Sequence, residues 1–159
     1  MNILKNNARI CSSQRGFTLL EVLVVMSIMI ALTSISISTY ISMRDKQSVQ
    51  KDADSIVSVL QKAQSMSSNR KNDSAYGVKF ASSTVTVFSG STYDTGNVIS
   101  TYTLEKNVKI NTIILSSNGT EVDFMKITGN PLANGTVTLG TGSFSKIVTI
   151  YGTGIIELK

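Results

Sequence analysis

The hydrophobic pattern of the chain changes twice, and the first change follows a long apolar run. From Phe17 to Met43 the sequence is almost entirely apolar, and Glu21 is the only charged side chain in these 27 residues. About 20 helical residues are enough to cross the hydrocarbon layer of a membrane, so this run predicts a membrane-spanning helix. A carboxylate is costly inside such a run, and Glu21 therefore marks a candidate functional site with a partner.

From Arg44 onward charged residues return, and the apolar positions recur every three or four residues. This spacing is typical of an amphipathic helix with one buried stripe. Because no Gly or Pro interrupts the sequence from Phe17 to Lys71, the pattern predicts a single continuous helix that ends in the polar run 67–73. We expect its stripe to face a sheet through Val49, Ala53, Ile56, Val57 and Leu60.

After residue 75 the pattern changes again, to short runs of Val, Ile, Thr, Tyr and Phe separated by Gly, Asn and Ser. Such runs predict β-strands, and their spacing of about ten residues favours an antiparallel sheet. The predicted fold class is α+β, with a long N-terminal helix packed on a C-terminal antiparallel β-sheet head. The predicted strands are Tyr76–Phe80, Thr84–Phe88, Val98–Leu104, Lys109–Leu115, Glu121–Ile127, Thr136–Leu139, Lys146–Tyr151 and Ile155–Leu158.

A polar leader precedes the apolar run and ends at Gly16. An ordinary secretory signal places its apolar core before the cleavage site, whereas a cut after Gly16 would remove only polar sequence and leave the apolar helix on the mature chain. The sequence therefore divides into a leader (1–16), a transmembrane and assembly helix (17–43), its amphipathic continuation (44–72) and a β-rich head (73–159).

The segment from Arg15 to Glu21, followed by the unbroken apolar helix, resembles the class III signal of type IV prepilins and type II secretion pseudopilins. The resemblance implies that a prepilin peptidase cuts between Gly16 and Phe17 and methylates the new amino group of Phe17. It also implies that Glu21 and Thr18 serve subunit assembly, with Glu21 meeting the N-terminal amine of a neighbouring subunit. The alternative interpretation is an ordinary signal anchor that contains a stray glutamate.

The order of motifs in the head resembles the minor pseudopilins of the GspH/FimT type. These motifs are Gly77–Phe80, a strand with Phe124, Gly129–Pro131, Gly135–Leu139 and a closing Ile147–Ile150. The resemblance implies a structural minor subunit of a type IV pilus or a type II secretion system. A major pilin subunit and an adhesin or DNA-binding pilus subunit remain alternatives, and the sequence leaves open which machine the chain serves.

The same resemblance predicts where the chain resides and what it contacts. We expect a single-pass protein of the inner membrane, with its head outside the cytoplasm, that later enters a pilus or pseudopilus. The expected partners are other pilin or pseudopilin subunits, the prepilin peptidase and the inner-membrane assembly platform. DNA is a further possible partner.

The composition argues against catalysis. The chain has no histidine, and Cys11, its one cysteine, lies in the leader, so the mature chain lacks the residues of ordinary Ser-His, Cys-His or zinc sites. We therefore predict no enzyme activity, no cofactor and no metal. The net charge of +5 also depends on the leader, since removal of its three basic residues leaves 12 basic and 10 acidic side chains.

Three other groups of residues, in the head and at the end of the helix, are candidate sites. Glu121 and Asp123 alternate on one strand and are interpreted as solvated strand charges rather than a working carboxylate pair. The turn from Tyr93 to Asn97 could offer oxygen atoms to Ca²⁺, but one carboxylate makes a weak site. Arg70, Lys71 and Lys79 could contact DNA phosphates, but we favour their interpretation as charges at a solvated helix end.

Overall fold

The computed structural model describes residues 16–69, 73–93 and 98–159 of the chain. The chain forms two compact units that divide between Tyr40 and Ile41. One helix, α1 (Leu19–Ser68, 50 residues), contributes to both units. The prediction of one uninterrupted helix is confirmed, and its observed ends lie two or three residues inside the predicted ones.

The first unit contains the apolar half of α1. Its large apolar side chains are exposed along the described part of the span, from Leu19 and Leu20 to Tyr40. The hydroxyl groups in this half bond back to the helix: Ser27 Oγ donates to Val24 O at 2.8 Å, and Ser34 Oγ donates to Ala31 O at 2.8 Å. These bonds satisfy polar groups within the helix, as an apolar surrounding requires. The side chains of residues 35–38, which include two serines, lie outside the described residues.

The described residues of the second unit form the other half of α1 and eight strands, all of which match predicted strands. Their order along the chain is β1 (Tyr76–Phe80), β2 (Thr84–Ser89), β3 (Val98–Thr103), β4 (Lys109–Leu115), β5 (Glu121–Phe124), β6 (Gly135–Gly140), β7 (Ser145–Ile150) and β8 (Ile156–Leu158).

The strands form two four-stranded sheets, whereas the sequence indicated one. The first sheet has the order β3-β2-β1-β5 and the second β4-β6-β7-β8, and all pairings are antiparallel. The head is therefore antiparallel, as expected, but it consists of two sheets, and β5 belongs to the first sheet although it follows β4 in the chain. We trace the error to β5, which leaves its sequence neighbour β4 and pairs with β1 instead.

Strand β5 is also shorter than predicted. It ends at Phe124 because the chain turns at once: Gly129 N–H donates to Met125 O at 2.9 Å, and Met125 N–H donates to Asn130 O at 2.8 Å. Ile127, predicted to end the strand, has φ = 78°. That conformation is rare for a β-branched residue and lies outside the β region.

The core of the second unit lies between α1 and the sheets. The predicted stripe is confirmed, since Val49, Ala53, Ile56 and Leu60 are fully or almost fully buried and Val57 packs against them. The sheets contribute alternating side chains to the same cluster, as the period of two in a half-buried strand requires. These include Val78, Phe80, Val85, Val122, Phe124, Val137, Leu139, Val148 and Ile150.

A buried carboxylate on α1 links the helix to the first sheet and the segment after it. Asp52 is fully buried, and its two oxygens accept hydrogen bonds from Tyr102 Oη and from the backbone N–H of Glu105, each at 2.8 Å. Nearby on the surface, Lys51 Nζ lies 2.8 Å from the Glu105 carboxylate. Burial raises the pKa of the Tyr102 phenol, so this group stays neutral and keeps donating to Asp52.

Candidate functional site

The candidate site is the start of α1, where Thr18 caps the helix. The Thr18 side-chain oxygen accepts a hydrogen bond from Glu21 N–H at 3.2 Å, and the Thr18 carbonyl accepts one from Val22 N–H at 3.2 Å. An N-terminal cap of this kind satisfies a backbone donor that has no partner within the helix. Thr18 therefore has a local structural role in addition to the assembly role that the resemblance implies.

Glu21 lies in the first turn of the helix. The spacing Thr18-x-x-Glu21 is that of a capping box, and an acidic side chain is stabilised by the positive end of the helix dipole. The Glu21 side chain is exposed, and the described part of the chain shows no cation in contact with it. The helix end can therefore hold a negative charge that is available to a group from another chain.

Phe17 precedes the cap and lies beside the first turn. Phe17, Glu21, Val22, Val25 and Met26 line one shallow groove along the helix surface. Phe17 and Val22 occupy the positions of a hydrophobic staple, the residue before the cap and the fourth helical residue. The Phe17 side chain is nevertheless 83% exposed. The predicted new N-terminus thus borders the same groove as Glu21 and is open to contact.

Gly16 lies just outside the helix in open space. A Cβ atom built on it would have no neighbour within 4 Å among the described residues. The described fold therefore does not explain a glycine at this position, in contrast to Gly77, where a Cβ would collide with Asp123 and Phe88.

The described part of α1 is long and apolar enough to span a membrane, as judged by length and composition alone. Within the described part of the chain, none of the qualifying segment is buried. An exposed apolar surface of this size is unfavourable in water and indicates contact with lipid or with other apolar helices.

Two other candidate sites, the possible Ca²⁺ turn and the possible DNA contact, are only partly within the described residues. Residues 94–97 of the possible Ca²⁺ turn, and Arg70 and Lys71 of the possible DNA contact, lie outside the described residues. Lys79 is already engaged: its Nζ lies 3.8 Å from Glu121 and 4.6 Å from the centre of the Tyr93 ring. Among the described residues, no group of three or more potential metal ligands is found.

The interpretation of Asp123 as a solvated charge is wrong. Its Oδ1 atom is buried and has no hydrogen-bond partner among the described residues, and burial, with a smaller contribution from Glu121, raises the pKa of the carboxyl group to about 6. Glu121, by contrast, pairs with Lys79 and is partly exposed. Alternation along the strand placed both carboxylates on one face, but it did not reveal that Asp123 lies over a glycine.

Comparison with known proteins bears on the N-terminal segment. A family model described as the prokaryotic N-terminal methylation motif matches residues 11–37. This match, together with the exposed apolar helix, supports a membrane-anchored subunit of the type IV pilin or pseudopilin kind. It covers the candidate site and stops before the head, so it does not distinguish the GspH/FimT type from others. No curated protein and no solved structure matched the chain.

Proposed function

We propose that the chain is a structural minor subunit of a type IV pilus or of a type II secretion pseudopilus, assembled through its N-terminal helix. The proposal rests on features that occur together at the start of α1. The methylation motif overlaps a capped, exposed apolar helix, and Glu21 is the only charged side chain in the apolar run from Phe17 to Met43. An anchor alone would need the apolar surface but not the charge.

The proposed maturation step is cleavage between Gly16 and Phe17, followed by methylation of the Phe17 amine. A peptidase pocket that admits no side chain would explain why glycine stands at a position where the fold has room for one. Because Phe17 precedes the capped first turn, removal of the leader would leave the folded start of α1 unchanged.

The proposed role of Glu21 is to compensate the Phe17 amine of a neighbouring subunit. Opposite charges attract much more strongly in an apolar layer than in water. A single unpaired charge in such a layer costs several kcal/mol, so the pair would penalise a subunit that enters in the wrong register. The exposed position of the Glu21 side chain supports this role.

The proposed location and partners follow from this role. The subunit would be held in the inner membrane by the apolar half of α1, with its head outside the cytoplasm, until it enters a filament. Its partners would be other pilin or pseudopilin subunits, the prepilin peptidase and the membrane assembly platform. Its part in the filament would be structural.

Replacement of Glu21 by Leu tests the proposal in cells that lack the native gene. We expect Glu21→Leu to be expressed, cut and inserted, yet to be absent from sheared filaments and unable to restore the pilus or secretion phenotype. Glu21→Asp should be partly impaired, because it keeps the charge but shortens its reach. Val24→Leu, which changes an exposed apolar residue on the same helix, should assemble normally. Incorporation of the Leu variant at the wild-type level would refute the assembly role.

The number of copies of this chain in the filament tests whether it is a minor subunit. Quantitative blotting of sheared filaments should find far fewer copies of this chain than of the main filament protein. If this chain makes up most of the filament mass, it is the major subunit instead.

A further inference from the structure

One row of side chains on the first sheet combines a carboxylate with an aromatic ring. Asp123 on β5 pairs with Gly77 on β1, and Gly77 pairs with Phe88 on β2. Phe88 alternates with Val85 and Val87, which face the core, and it does not belong to the core cluster. The row therefore lies on the face of the sheet that points away from α1, and Phe88 is fully buried there.

Gly77 allows the carboxylate and the ring to share one space. A Cβ atom at this position would collide with both Asp123 Oδ1 and the Phe88 ring. Asp123 Oδ1 is thus buried beside the Phe88 ring, and the described part of the chain offers it no hydrogen-bond donor. A neutral acid tolerates such a place far better than a carboxylate does.

Lys79 and Tyr93 form the cover of this space. The Tyr93 ring meets Phe88 edge to face, with centroids 5.6 Å apart and planes at 83°. Lys79 Nζ lies over the Tyr93 ring at 4.6 Å and 3.8 Å from Glu121. Lys79 on β1 pairs with Glu121 on β5, and Asp123 lies two residues further along β5 on the same face. Asp123 is therefore a diagonal neighbour of Lys79, and a long side chain can reach such a neighbour.

We propose that Asp123 is a proton-operated latch on the outer face of this sheet. As a neutral acid it stays packed over Gly77 and against Phe88, and the cover of Lys79 and Tyr93 stays closed. Once ionised, the carboxylate turns out of this space and draws Lys79 away from the Tyr93 ring. The loss of that contact frees Tyr93 and exposes Phe88, so the face presents an aromatic surface only above the transition.

The charged and titratable groups around Asp123 agree with this direction. Glu121, on the same strand, disfavours a second negative charge, and Lys79 on β1 is the cation that an ionised Asp123 can recruit. The Tyr93 phenol belongs to the cover. On β2, the residue that faces the same space is Phe88, whose ring is uncharged. The inference concerns the head alone and does not depend on the proposed function.

The latch can be tested by nuclear magnetic resonance on the detergent-solubilised chain with ¹³C-labelled Phe and Tyr rings. Between pH 4 and 8 we expect the Phe88 and Tyr93 signals to shift together, with one midpoint near pH 6 that coincides with titration of the Asp123 carboxyl carbon. In Asp123→Asn both ring signals should keep their acid positions throughout. Lys109→Gln, which removes a cation from a strand of the other sheet, should titrate like the wild type.

Glu121→Gln provides a second test that does not alter the buried carboxyl. Because Glu121 disfavours ionisation of Asp123, its neutralisation should move the common midpoint to lower pH. Ring signals that stay constant while Asp123 titrates would overturn the latch. Ring signals that still titrate in Asp123→Asn, or an unchanged midpoint in Glu121→Gln, would overturn it as well.

Discussion

Replacement of Leu60 by Ala gives the sharpest test of how the head is built. Leu60 is fully buried in the apolar stripe of α1 and belongs to the core cluster. The change removes three carbon atoms, worth about 0.8 kcal/mol each in transfer free energy. The cavity left behind adds to this, so we expect a loss of roughly 2–5 kcal/mol in the free energy of unfolding. Ala has the higher helix propensity, and the helix itself should not weaken.

The measurement is urea unfolding of the head fragment from Arg44 to Lys159, followed by circular dichroism. This fragment contains the whole buried core, whose first member is Val49. With a slope of about 1–3 kcal/mol per molar urea, the midpoint should fall by about 1 M or more. The matched control is Leu132→Ala, since Leu132 is 64% exposed and its truncation should stay within about 0.5 kcal/mol. A loss below about 0.5 kcal/mol for Leu60→Ala would show that this face of α1 is not core.

Three further predictions use the same unfolding assay. Asp52→Ala leaves two donors without their acceptor and should cost about 1–3 kcal/mol, whereas Asp54→Ala, on the exposed side of α1, should be close to neutral; equal effects would contradict the buried bridge. Gly77→Ala should destabilise the head, because its Cβ collides with neighbouring side chains, and Gly142→Ala should not, because its Cβ would have open space; a stable Gly77→Ala head would contradict the close approach. The raised pKa of Asp123 means that the folded head holds this proton more tightly than the unfolded chain, so stability present in acid should be lost as the pH rises from about 4 through about 6. Asp123→Asn should remove that slope, and an unchanged slope would assign it to another group.

Much of the fold could be predicted because it depends on local periodicity. The apolar run, the three-and-four spacing after Arg44 and the alternating β-runs fixed α1 and all eight strands to within a few residues. The division into two sheets could not be predicted in the same way. It depends on β5 pairing with β1 across more than 40 residues, and a strand pattern indicates which face is buried but not which partner it selects.

The same difference between local spacing and pairing of distant segments applies to the polar residues. The spacing Thr18-x-x-Glu21 carries the signal of a capping box, so the cap at the start of α1 could have been predicted from the sequence. Asp52 is one of several charged residues that return after Arg44, and it stands beside Ala53 in the apolar stripe. Its partners and those of Asp123 come from distant strands. Their burial could be recognised only once the strands were paired.

The central claim is that the chain is processed and assembled as a pilin-type subunit, and the mass of its N-terminus tests it most directly. Intact-mass analysis of the membrane fraction should show a mature chain that begins at methylated Phe17, and Gly16→Val should leave the precursor uncut. A wild-type protein that retains residues 1–16 would contradict the account.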